Sequence, residues 1–162
     1  STSMKRWYVM VGLVLLVATS FVFKTVFLSR PPVSSSVMGS LTLDLPGGSF
    51  LLDLPRTPEQ FTRGLGGRDY LAPQTGMLFL FRASAPQAFW MKDMRFPIDI
   101  LFLQDGVVVK IAANLPAPLA GEAPVKVASD RPINGVLEVG AGEASAHGWT
   151  VGTRLFSPES IR

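Results

Sequence analysis

Residues 98–112 read Ile98-Asp99-Ile100-Leu101-Phe102-Leu103-Gln104, then Asp105-Gly106, then Val107-Val108-Val109-Lys110-Ile111-Ala112. Two β-rich runs joined by Asp-Gly predict a hairpin, because a type I′ turn needs positive φ at both central residues and this pair adopts it readily. The first arm is nearly all apolar, as expected of a strand covered on both faces. Asp99 interrupts it. On alternation Asp99 shares a face with Leu101, so it is either at a strand end or buried and paired. A buried carboxylate needs compensation, and Arg63, Arg68 and Lys92 are the cations on offer. A structural salt bridge is favoured over a catalytic role.

Outward from the hairpin, more short strands follow. Leu41-Thr42-Leu43-Asp44-Leu45 alternates with period two, as does part of 50–54, with Gly47-Gly48 as the turn between them. Residues 76–81 form a short apolar run, again fit for burial on both faces. Residues 125–128, 136–139 and 153–156 read as further strands. Thr57-Pro58-Glu59-Gln60 offers an N-cap Thr, Pro at N1 and Gln at N3, a capping box. Phe61 and Leu65 would then share a helix face, and Gly66-Gly67 would stop the helix. A second helical turn is expected over 141–146, ended by Gly148. The fold class is mainly β: a small β-rich single domain over 41–162 with one or two short helices.

In front of it stands a different kind of segment. The chain has 162 residues, 15 Lys+Arg, 12 Asp+Glu and a net charge of +3. Residues 1–30 hold Lys5, Arg6, Lys24 and Arg30 and no acid, so the remainder carries a net −1. With no basic run in the domain, nucleic-acid binding is rejected. Residues 7–28 would span about 33 Å as a helix, enough for a hydrocarbon core of about 30 Å. Trp7 and Tyr8 fit one interface, while Phe21, Phe23, Lys24 and Phe27 fill the far end, where the Lys24 stem can snorkel. A single transmembrane α-helix that stays uncleaved is preferred to a signal peptide, since no small-x-small cleavage site follows. Ser1 is read as following a removed initiator methionine. The expected layout is a cytoplasmic tail over 1–6, the anchor over 7–28, a Pro/Ser-rich linker over 29–40 and the extracytoplasmic domain. Location is then the inner membrane of a bacterium, with the N-terminus in and the domain in the periplasm; the lipid bilayer is one partner.

The absence of cysteine removes disulfides, thiolate chemistry, Cys-ligated zinc and a lipidated form. No metal or other cofactor is expected. The single histidine, His147, has Ser145 and Glu143 nearby, but no nucleophile-elbow sequence frames them, so it is read as a surface residue. Gly64-Leu65-Gly66-Gly67-Arg68 resembles a phosphate loop only superficially and is read as a helix end. Asp53, Asp93, Asp99, Asp130 and Glu138 are the acids near apolar segments. The most unusual stretch is Phe89-Trp90-Met91-Lys92-Asp93-Met94-Arg95-Phe96-Pro97. Its mixture of aromatics, methionines and cations is enriched in interfaces and binding pockets.

Arg63-Gly64-Leu65, Arg68, Gly76-Met77-Leu78-Phe79, Phe89-Trp90-Met91-Lys92, Pro97-Ile98-Asp99-Ile100 and Leu137-Glu138-Val139-Gly140-Ala141-Gly142 resemble the DUF192 family in order and spacing, from about Leu41 to Phe156. The resemblance implies a small, mainly β domain, often behind a signal or anchor, with no established activity. It points to Trp90, Met91, Lys92, Arg63, Arg68, Asp99 and Glu138 as binding or interaction positions. Gly66 stands where members usually have Met, and Asp93-Met94 where they usually have Asn-Thr. An acid and a thioether thus replace a small polar pair, which implies an altered pocket.

The leading expectation is a non-catalytic, single-span accessory subunit of a larger membrane complex. Other subunits would contact both helix and domain, and respiratory and photosynthetic assemblies are the common bacterial hosts. The alternative is a periplasmic module binding a small acidic or sugar-like ligand at Trp90, Lys92 and the arginines. A hydrolase using Asp99 with Glu138 comes last.

Overall fold

The computed structural model of the protein describes residues 37–161. The expected tail, anchor and most of the linker lie outside those residues. No helix among the described residues is long and apolar enough to cross a membrane. In chain order they form β1 (Gly39–Leu45), β2 (Gly48–Leu54), α1 (Pro58–Arg63), β3 (Thr75–Ala85), β4 (Ala88–Trp90), β5 (Ile98–Gln104), β6 (Val107–Leu115), β7 (Lys126–Ala128), β8 (Ile133–Gly140) and α2 (Glu143–Ala146), then a 3-10 turn (Pro158–Ile161). The sheet takes in Gly39 and Ser40, which the sequence alone assigns to the linker.

Six strands form one sheet in the order β1-β2-β3-β8-β5-β6, and β4 pairs with β7 as a separate ribbon. Neighbours in the large sheet run antiparallel except β2 and β3. Parallel neighbours need a crossover, and the segment carrying α1 supplies it. The hairpin of β5 and β6 is the one its sequence predicts, with φ of 50° at Asp105 and 75° at Gly106.

The two faces of the sheet hold separate cores. Leu52, Leu78, Leu101, Leu103, Leu137 and Val139 point to one, where Trp149, Leu155 and Phe156 cover them. Met77, Phe79, Ile100, Phe102 and Val136 point to the other, under Leu65, Met91 and Met94. Both central strands, β5 and β8, are therefore buried throughout most of their length. Each fully buried Leu, Ile or Phe contributes about 1.5–3 kcal/mol.

Five local expectations are corrected. The first turn centres on Pro46-Gly47, with Gly48 already paired to Leu45, because Pro followed by a glycine at φ 99° suits a tight turn. The helix stops at Arg63, since Gly64 takes φ 53° and ψ −132°. Leu65 therefore reaches the core from the loop beyond α1, not from a helix face. Residues 153–156 make one bridge, Arg154 to Val107, and no strand. The turn closed by Thr150 and Thr153 precedes them and Pro158 follows, leaving little straight backbone.

Asp99 is the fourth. It is fully buried, but no cation meets it among the described residues. Its carboxylate accepts from the backbone N–H groups of Asn114 (2.8 Å), Gly142 (3.1 Å) and Ala144 (3.0 Å). Three main-chain donors replace the expected salt bridge and tie β6 and the start of α2 to β5. His147 is likewise not a surface residue. It is half-buried, stacked on Trp149 at 5.1 Å, edge-on to Phe50, and 3.1 Å from Glu143.

Candidate functional site

Alternation along β8 sends Leu137 and Val139 into the first core and Glu138, with Val136, into the second. Cross-strand from Glu138 lie Met77 on β3 and Ile100 on β5. Its carboxyl thus stands in apolar surroundings, and the residue is 5% exposed. The backbone N–H of Leu65 donates to it, while Oε2 has no hydrogen-bond partner in the protein. Burial pushes the pKa from 4.5 up to about 8; the Leu65 N–H and the charge of Arg68 pull the other way and lose.

Glu138 lines a cleft of about 330 Å³. One wall comes from α1 and its end, through Phe61, Arg63 and Gly64. The rest of the aromatic lining comes from Phe79 and Phe81 on β3 and from Phe89 and Trp90 on β4. The rings brace each other edge-on: Phe61 to Phe79 at 5.8 Å and Phe79 to Phe89 at 4.9 Å. The glycine C-cap leaves the space beside Glu138 Oε2 unfilled, because a Cβ at Gly64 would lie next to that oxygen and the Phe79 ring.

α1 is placed by its capping box. The Thr57 hydroxyl accepts from the Gln60 N–H and the Gln60 side chain accepts from the Thr57 N–H. That fixes where Arg63 leaves the helix. A second concavity, of about 400 Å³, adjoins the first. It shares Thr62, Arg63 and Trp90 with it and adds Glu59, Lys92 and Asp93. Trp90 is 40% exposed. The Lys92 ammonium lies 5.1 Å from its ring centroid and that of Lys126 5.8 Å.

Of the seven positions singled out in the sequence, the fold gathers Arg63, Trp90, Lys92 and Glu138 around these two concavities. Met91 is fully buried in the second core and packs beneath them. Arg68 pairs with Asp53 at 2.6 Å and acts on Glu138 only through its field. Asp99 is elsewhere. It pairs across strands with Val139, whereas Ile100 pairs with Glu138, so the two carboxylates point to opposite faces of the sheet. A hydrolase built on that pair is excluded, because the acids share no cleft. Gly64, Lys126 and the phenylalanine walls were missed. Phe79 and Phe81 follow Met77 at a spacing of two, so their shared face was readable; Lys126 is placed by its pairing with Trp90, which no local pattern announces.

Residues 41–156 match the family model DUF192, described as an uncharacterized ACR. The fold is also similar to two crystal structures. One is a candidate transcription regulator from Sinorhizobium meliloti 1021, 33% identical, covering 75% of this chain and 94% of its own, with a TM-score of 0.62. The other is a protein of unknown function from Novosphingobium aromaticivorans DSM 12444, 31% identical, covering 78% and 89%, with a TM-score of 0.60. No curated protein matches the chain.

Proposed function

The chain belongs to the DUF192 family, and we propose that it is a membrane-anchored, extracytoplasmic module that binds a small ligand in the cleft over Glu138. One observation carries the reading: a buried carboxyl oxygen without a partner borders an aromatic-walled cleft. Buried polar atoms are nearly always hydrogen-bonded, and leaving one unmet costs about 1–3 kcal/mol. A ligand donor or acceptor reaching Glu138 removes that cost. The remaining lining is apolar with a few polar groups, the composition of small-molecule sites, and the volume sits at their small end.

The anchor part of the proposal rests on the apolar run of residues 7–28 and the positive charges that bracket it. The accessory-subunit reading draws on the same run. An open concave site with a polar anchor favours ligand binding over it.

The test is small-molecule extraction of the full-length protein purified from its native host, with Trp90→Ala and Glu138→Ala beside it. A compound enriched in the parent and lost from both variants is the expected result. Identical extracts from all three proteins would overturn the reading.

A further inference from the structure

The rim of the cleft says more about what enters it. Arg63, Lys92 and Lys126 come from three separate elements: the end of α1, the turn after β4, and β7. None of the three enters an ion pair among the described residues. Arg63 borders both concavities and Lys92 the outer one; Lys126 lines neither, but its ammonium, like that of Lys92, stands over the ring of Trp90, which both concavities share. Two acids, Glu59 and Asp93, line the outer concavity as well. The Glu59 carboxylate is engaged with the Thr57 side chain and with its own backbone at the start of α1. The rim therefore has a slight positive excess, enough for a singly charged anion and poorly matched to a dianion.

We propose that this rim is an anion subsite and that the ligand is a small, singly charged organic acid. Its planar apolar body lies against the phenylalanine lining, its hydroxyl or N–H end meets the carboxyl of Glu138, and its carboxylate sits by Arg63 and Lys92, within the field of Lys126. A planar body suits the inner cleft better than a sugar ring, whose hydroxyls would find few polar side chains among Phe61, Phe79, Phe81 and Phe89. The inference rests on the ligand-binding reading above and narrows it to a chemical class.

Calorimetric titration of the full-length protein in detergent tests it with three probes: 3-(4-hydroxyphenyl)propionate, the corresponding amide, and 3-phenylpropionate. The hydroxylated acid binds most tightly. Removing its hydroxyl leaves Glu138 unmet again and weakens binding about ten-fold. Replacing its carboxylate by the amide weakens binding up to about five-fold, the scale of solvent-exposed charge pairs. The double variant Lys92→Ala/Lys126→Ala weakens the acid and leaves the amide unchanged, whereas Arg154→Ala, beside the β5–β6 turn, affects neither. Equal binding of acid and amide, with no effect of the double variant, overturns the anion subsite and leaves the cleft reading standing. Absence of binding by all three probes overturns both.

Discussion

Gly64 packs closely on Glu138: a Cβ on Gly64 would stand a tight 3.3 Å from Glu138 Oε2 and 3.5 Å from the tip of Phe79. The residue that ends the helix thus also borders the buried carboxyl. Gly64→Ala tests both roles. A side chain at φ 53° and ψ −132° is strained, at a cost of about 1–3 kcal/mol. The variant should unfold at lower urea concentration and retain less ligand than the parent in the extraction experiment.

Glu138 should make stability fall as pH rises. Below 4.5 the group is protonated in folded and unfolded chains alike. Between 4.5 and about 8 the unfolded chain releases its proton while the folded chain holds it, so the folded state loses ground across that window and levels off above it. Glu138→Gln has no such proton. Its melting temperature, compared with the parent at each pH, should gain a margin that grows from 4.5 to about 8; a constant margin would contradict the assignment.

Asp99 supplies the opposite case, a buried acid fully satisfied by main-chain donors. Asp99→Ala leaves the N–H groups of Asn114, Gly142 and Ala144 without their acceptor. The loss should be about 3 kcal/mol or more, read from chemical denaturation. Asp99→Asn keeps one acceptor oxygen and should fall between parent and alanine variant.

The β hairpin, the capping box and the all-apolar β5 were legible because each is written within a dozen residues. The partner of Asp99 was not. A sequence displays charged side chains but not which backbone amides will converge, so cations were nominated where three N–H groups do the work. The site was half legible for the same reason. Trp90 and Lys92 are adjacent in an odd motif, and Glu138 interrupts an apolar strand. The contribution of Lys126, 36 positions after Trp90, depends on the pairing of β4 with β7. Asp99 and Glu138 look alike in sequence, each an acid within an apolar run, and only the register between β5 and β8 sends them to opposite faces.

The position of α1 depends on Thr57. Thr57→Ala removes the acceptor for the Gln60 N–H and should cost about 1 kcal/mol. Because α1 carries Phe61 and Arg63, the same variant should loosen the cleft wall. Amide exchange at residues 60–63 should accelerate more than at the β5–β6 hairpin.

The last strand of the chain, β8, lies in the middle of the sheet, between β3 and β5. During synthesis the chain therefore passes through a stage with two unfinished fragments, β1-β2-β3 and β5-β6, each offering a bare edge where β8 belongs. Such edges invite pairing with other chains, and joining β3 to β8 closes a loop of about fifty residues, a slow kind of step. The carboxyl that equips the cleft arrives on that same strand. Assembly of the sheet and assembly of the site are thus one event, and a nascent chain cut short before Ile133 has neither.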